Sequence, residues 1–230
     1  MMLTLSTRWD TLAVVTKFPQ AAARKTPERK KAHAYHHGNL RQALVDQAVA
    51  TIRDKGVEAL TLRDAGARLR VSRTALYRHF ADKQSLLAAV ATEGFRTFRQ
   101  ALVDAWHGTG HTPAGFVAMG HAYVRFAREN PSHYRVMFGG FVAKADCDPD
   151  LRVTAGSAFG VLVGAIVDLQ RAGLVRAGAA DELAVFVWSA VHGVAMLSID
   201  GQLERPGVPL DAAATSTVAR VWDAIAVPPA

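Results

Sequence analysis

One cysteine in 230 residues, Cys147, leaves no partner within the chain. An internal disulfide is excluded, and the composition suits a reducing cytoplasm. The neighbours Asp146 and Asp148 would raise the thiol pKa, which argues against a redox sensor. No segment alternates with period two, so nothing in the chain calls for a sheet. Long apolar runs are missing as well. One ends at Asp168, and another, from Val185 to Ile199, includes His192, so both fall short of the roughly 20 apolar residues of a membrane span. Residues 11–15 are too short an apolar run for a signal peptide, and no cleavage pattern follows. There is no nucleophile elbow, phosphate loop or spaced carboxylate pair, and Ser157 and Ser189 sit among apolar residues without an evident base. His33, His36 and His37 lack the spaced cysteines or carboxylates of a zinc site. The expectation is therefore a protein with no metal, no cofactor, no membrane segment and no enzymatic centre.

Charge and apolar content are what the chain does have. It carries a net charge of +7 and is 50% hydrophobic, ample for a core. The charge is divided unevenly: residues 1–34 sum to +5, 35–95 to +3 and 96–230 to −1. The basic excess attracts phosphates without carrying sequence information. Residues 1–34, with Arg24-Lys25 and Arg29-Lys30-Lys31, show no helical period and read as a disordered basic tail. It is either an arm that reaches DNA or a solvated extension from an overlong gene start.

From Asn39 the pattern becomes helical. Asn39 and Gln42 form a capping box, Leu44, Val45, Ala48, Val49 and Ile52 recur at helical spacing, and Gly56 closes the helix. Thr61 caps a second helix with Asp64 reaching back, and Leu62, Ala65 and Leu69 face inward. Arg70 and Val71 turn the chain. Ser72 then caps a third helix, with Val71 and Leu76 as hydrophobic staple. This helix buries Ala75, Leu76 and Phe80 and presents Arg73, Thr74, Tyr77 and Arg78 outward. It is too short to stand alone. It reads as a display element supported from behind, the design of a helix that enters a major groove. Asp82 caps a fourth helix beginning Lys83-Gln-Ser, which brings an ammonium and a helix N-terminus beside the reading helix.

Thr61-Leu-Arg-Asp, Val71-Ser and Leu76-Tyr-x-His-Phe-x-x-Lys83 resemble the N-terminal domain of the tetracycline-repressor (TetR) family of transcription regulators, over about Asn39 to Val90. Two departures stand out. Arg70 occupies a turn position usually held by glycine, and Gly66 sits in mid-helix at a cost of about 1 kcal/mol against alanine. Trp188-Ser-Ala-Val-His192-Gly193-Val-Ala-Met196 and Asn130-Pro-x-x-Tyr134-x-x-Met137-Phe138 are similar to the C-terminal domain class of that family named for its Trp-His-Gly helix. The resemblance implies a sequence-specific regulator of double-stranded operator DNA, most naturally a repressor. Arg63, Arg73 and Thr74 are assigned to base edges, and Thr61, Ser72, Tyr77 and Lys83 to phosphates. His79 faces either phosphate or core.

Residues 83–230 continue as helices, at about Asp82 to Trp106, Ala114 to Glu129, Ser132 to Phe138, Asp150 to Ala172, Ala180 to Gly201 and Ala212 to Ala226. The expected fold is all-α: a three-helix DNA-binding domain with helix-turn-helix over 35–82, joined by a long helix to a larger helical domain for ligand binding and dimerisation. Phe116, Met119, Tyr123, Met137, Phe141, Trp188, His192 and Met196 are the candidate walls of a pocket for a small apolar effector, though core packing explains the same spacing. Gly156, Gly160 and Gly164 form a stripe suited to close helix packing in a homodimer, which would hold two reading helices a DNA turn apart or a multiple of it. A helical partner-binding adaptor would share the stripe and the aromatic faces but would not need Tyr77 and Lys83. An enzyme would need a site the chain does not display.

Overall fold

The computed structural model describes residues 40–142, 148–203 and 209–228. The basic tail, His33, His36, His37, Asn39 and Cys147 lie outside the described residues. Nine helices are present among the described residues: α1 (Leu40–Lys55), α2 (Leu62–Arg68), α3 (Arg73–His79), α4 (Lys83–His107), α5 (Pro113–Glu129), α6 (Pro131–Phe138), α7 (Pro149–Arg171), α8 (Ala180–Ile199) and α9 (Leu210–Ile225). Val175 and Ala226 form a single antiparallel bridge, and no strand appears among those residues. The expected all-α architecture is what forms.

The first three helices pack around Leu44, Val45, Ala48, Leu62, Leu76 and Phe80, all buried. Each of these side chains except that of Ala48 contributes about 1.5–3 kcal/mol by leaving water. The N-terminal half of α4 packs against these helices through Leu86, Leu87 and Val90, whereas Phe95, Phe98, Leu102 and Trp106 of the same helix pack with the later helices. One continuous helix thus runs through a single hydrophobic core shared by both ends of the chain. Asp82 starts it with a complete capping box, its carboxylate accepting from Ser85 N at 2.8 Å while Ser85 Oγ accepts from Asp82 N at 3.2 Å.

Asn130-Pro131 ends α5 and starts α6, because proline is tolerated only in the first turn of a helix. Gly94 lets α6 approach α4 closely, since a Cβ there would lie 2.6 Å from Met137 Sδ. Helices α7 and α8 show a mixed character. Ala158, Ala165, Ile166, Val187 and Val191 are buried, yet Val153 is 68% exposed and Val185, Phe186 and Leu197 are about half exposed. A Cβ on Gly156, Gly160 or Gly164 would meet nothing within 4 Å, so the glycine stripe faces outward and does not pack within the protomer. By length and composition both helices are apolar enough to cross a membrane, although Asp168 and His192 interrupt their apolar runs. Their buried sides belong to the helical core.

Candidate nucleic-acid interface and cavity

Local capping chemistry builds the first site. Thr61 Oγ1 accepts from Asp64 N at 3.0 Å and Ser72 Oγ from Ala75 N at 3.2 Å, fixing where α2 and α3 begin. The turn between them is a Schellman motif: Val71 N donates to Gly66 O and Arg70 N to Ala67 O, both at 3.1 Å. Arg70 supplies the left-handed residue this motif needs, at φ 56°, where a side chain costs about 1–2 kcal/mol. Gly66 has its explanation in the same turn. A Cβ there would lie 2.9 Å from Leu76 Cδ2, so the absence of a side chain lets α3 seat against α2.

Seated in this way, α3 turns Leu76 and Phe80 inward and leaves Arg73, Thr74, Tyr77, Arg78 and His79 exposed. Arg63 on α2 and the caps Thr61 and Ser72 are exposed beside it. His79, ambiguous in the sequence, lies on the surface and not in the core. The Arg73 guanidinium sits 5.7 Å from the centre of the Tyr77 ring, a cation–π pair one helical turn apart. The face therefore offers a forked donor, a hydroxyl and a flat ring at successive positions along a helix short enough to lie in a groove.

Lys83 has an internal role that its place in the sequence did not suggest. Its ammonium donates to Val57 O at 2.9 Å and Glu58 O at 3.2 Å, tying the start of α4 to the loop between α1 and α2. The Gln42 amide donates to Asp46 Oδ1 at 2.9 Å and to Glu93 Oε2 at 2.7 Å, linking α1 to α4; the capping box expected with Asn39 lies outside the described residues. His133 of α6 joins this cluster with Nε2 buried 3.7 Å from Glu93 Oε1. Burial holds its pKa below 6.5, outweighing the upward pull of Glu93.

The second site is a cavity of about 500 Å³ lined by α4, α5, α6, α7, α8 and α9. Of the residues expected there, Phe116, Met119, Tyr123 and Trp188 line it. Met137, Phe141, His192 and Met196 do not. Met137 is directed at Gly94, Phe141 lies over Gly139, and Met196 packs half-buried against the core. His192 stands behind the wall, its Nδ1 at 2.7 Å from Tyr134 Oη and 3.0 Å from Tyr123 Oη. Tyr123 Oη also accepts from Trp188 Nε1 and Tyr134 Oη, each at 3.0 Å. Burial lowers the His192 pKa, pushes the Tyr123 phenol up to about 12 and raises that of Tyr134. All three are neutral near pH 7. The walls that sequence reasoning missed are Phe95, Phe98 and Leu102 of α4, Gly120 of α5, Phe138 of α6, Ala155, Ala158, Phe159 and Leu162 of α7, Val185, Val187 and Val191 of α8, and Val218 and Val221 of α9. Among the described residues, no group of three His, Cys, Asp or Glu is placed to hold a metal ion.

Two family profiles match the chain. One, described as bacterial regulatory proteins of the tetR family, covers residues 44–90, from α1 into α4. The other, described as a tetracyclin repressor-like C-terminal domain, covers residues 116–221 and so takes in the Trp188–Gly193 segment. No curated protein matches. Among solved structures, a protein of unknown function from Rhodococcus sp. RHA1 is 31% identical, with a TM-score of 0.75 over 85% of this chain and 100% of its own. A TetR family transcription regulator from Marinobacter aquaeolei is 22% identical, with a TM-score of 0.64 over 81% of this chain and 95% of its own. The TetR family regulator PfmR from Thermus thermophilus is 17% identical, with a TM-score of 0.61 over 78% of this chain and 97% of its own. The last two establish likeness of fold.

Proposed function

Because the chain belongs to the TetR family of bacterial transcription regulators, we propose that it is a homodimeric cytoplasmic repressor that leaves its operator when a small apolar effector occupies the cavity. The observation that carries the DNA reading is the exposed face of α3, with Arg73, Thr74 and Tyr77 outward on a helix of 7 residues anchored by Leu76 and Phe80. Arg73, Thr74 and Arg63 are assigned to base edges, the arginines suited to guanine. Thr61, Ser72, Tyr77 and His79 are assigned to phosphates. Lys83 has two of its three donors engaged internally, and its remaining proton is available for a phosphate.

Support for regulation comes from α4. Phe95, Phe98 and Leu102 line the cavity, and the first residue of the same helix is tied to the loop that precedes α2. A ligand that alters the course of α4 would shift the reading heads of a dimer, and operator release follows if the bound form has the wrong spacing. Dimerisation is supported by outward apolar surface on both α7 and α8: Phe186 and Leu197 of α8 are each 45% exposed, and the glycine stripe of α7 is open. Selection of bound fragments from a pool of random duplexes tests this reading. An enriched sequence with two related half-sites is expected, and recovery of DNA with no common sequence would contradict it.

A further inference from the structure

The cavity wall is uniform in one chemical respect. Among the described residues, no charged side chain lines it, and Tyr123 is the one wall residue that carries a side-chain oxygen. A charged ligand buried there would lose its hydration and meet no counter-charge, a penalty of the kind that empties sites of unpaired ions.

The hydroxyl cluster behind that wall has a second property. Tyr123 Oη, Tyr134 Oη, Trp188 Nε1 and His192 Nδ1 lie within 2.7–3.0 Å of one another along their bonded pairs. With Nδ1 as acceptor, two arrangements satisfy the groups. In the first, Tyr123 donates to Nδ1 while Tyr134 and Trp188 donate to Tyr123 Oη. In the second, Tyr134 donates to Nδ1 across the shorter 2.7 Å contact, Trp188 still donates to Tyr123 Oη, and the Tyr123 proton can turn to the cavity. Switching between them leaves no buried group without a partner once a ligand acceptor takes that proton.

We infer that the ligand of this cavity is an uncharged lipophile carrying one hydrogen-bond acceptor, such as an ester or ketone, held by the Tyr123 hydroxyl, and that carboxylates and ammonium ions are excluded. This rests on the proposed ligand reading of the cavity. The raised pKa of Tyr123 keeps the donor protonated throughout the physiological range.

Displacement of the fluorophore N-phenyl-1-naphthylamine from the full-length protein by methyl octanoate, octanoate and octane tests the assignment at constant pH. Methyl octanoate should bind most tightly, octane up to ~10-fold more weakly and octanoate at least ~100-fold more weakly. Tyr123→Phe should bring the ester to the level of the alkane and leave the alkane unchanged. Octanoate binding as tightly as its ester would overturn the exclusion of charge. Ester binding no tighter than octane in the unsubstituted protein would overturn the role of Tyr123, without recourse to a variant. No binding of fluorophore or competitors would overturn this inference together with the ligand reading beneath it. Ester binding that leaves operator affinity unchanged would remove effector release from the proposed function and leave the present inference standing.

Discussion

At the scale of single residues, side chains of like charge have different work. Arg73 is exposed on the reading helix, whereas the Lys83 ammonium is tied to two backbone carbonyls. Arg73→Ala should therefore weaken operator binding by about 1–3 kcal/mol and relax specificity at one base position, read by competition between operator variants. Lys83→Met should instead lower unfolding stability by about 1–3 kcal/mol in urea, through loss of charge-assisted bonds. Unchanged stability with uniformly weaker DNA binding would return Lys83 to the phosphate role its position in the sequence suggests. Two histidines set the acid response. The folded-state pKa values of His133 and His192 both lie below 6.5, so the unfolded chain binds more protons in this window. Stability rises with pH there and is lost as pH falls below about 6.5. The melting temperature should drop on acidification from about pH 7.5 to about pH 5, and it should drop less in a His133→Gln, His192→Gln double variant. An equal drop in both proteins would contradict the assignment.

At the scale of elements, the reading unit is specified by short-range chemistry and the cavity by long-range packing. Thr61, Ser72 and Asp82 act as caps where the sequence placed them, and each fixes a helix start within three residues. That locality is why α2, α3 and the start of α4 were legible. Helical period also separated inward from outward faces in α4 to α9, but it could not show which inward positions border a void. Met137 and Met196 share the spacing of wall residues and are consumed by packing, while Phe95 and Phe98 bear no local mark of the space they line. The bond from Gln42 to Glu93 was illegible for the same reason, since the two are 51 residues apart. The turn gives this scale its prediction. Arg70 holds a left-handed φ of 56° at a cost in backbone strain, so Arg70→Gly should stabilise the protein by about 0.5–1 kcal/mol in thermal unfolding. Destabilisation by the same change would mean that the Arg70 side chain makes contacts worth more than the backbone strain.

At the scale of the whole molecule, α4 connects the helix-turn-helix with the cavity, and α7 and α8 leave apolar side chains outward, where the proposed dimer would form. Phe186→Asp should convert the dimer to monomer in light scattering and abolish selective DNA binding, because one reading helix contacts too few bases. Dimer retention would place the interface elsewhere. The central claim is that this chain reads DNA sequence through α3. Its most direct test is a fluorescence-anisotropy titration of the intact protein and of Arg73→Ala against the duplex recovered by selection and a scrambled duplex, each at two salt concentrations. The account predicts that the intact protein prefers the selected duplex, that affinity for both falls with salt, and that Arg73→Ala narrows the preference. Equal affinity of the intact protein for both duplexes would contradict it.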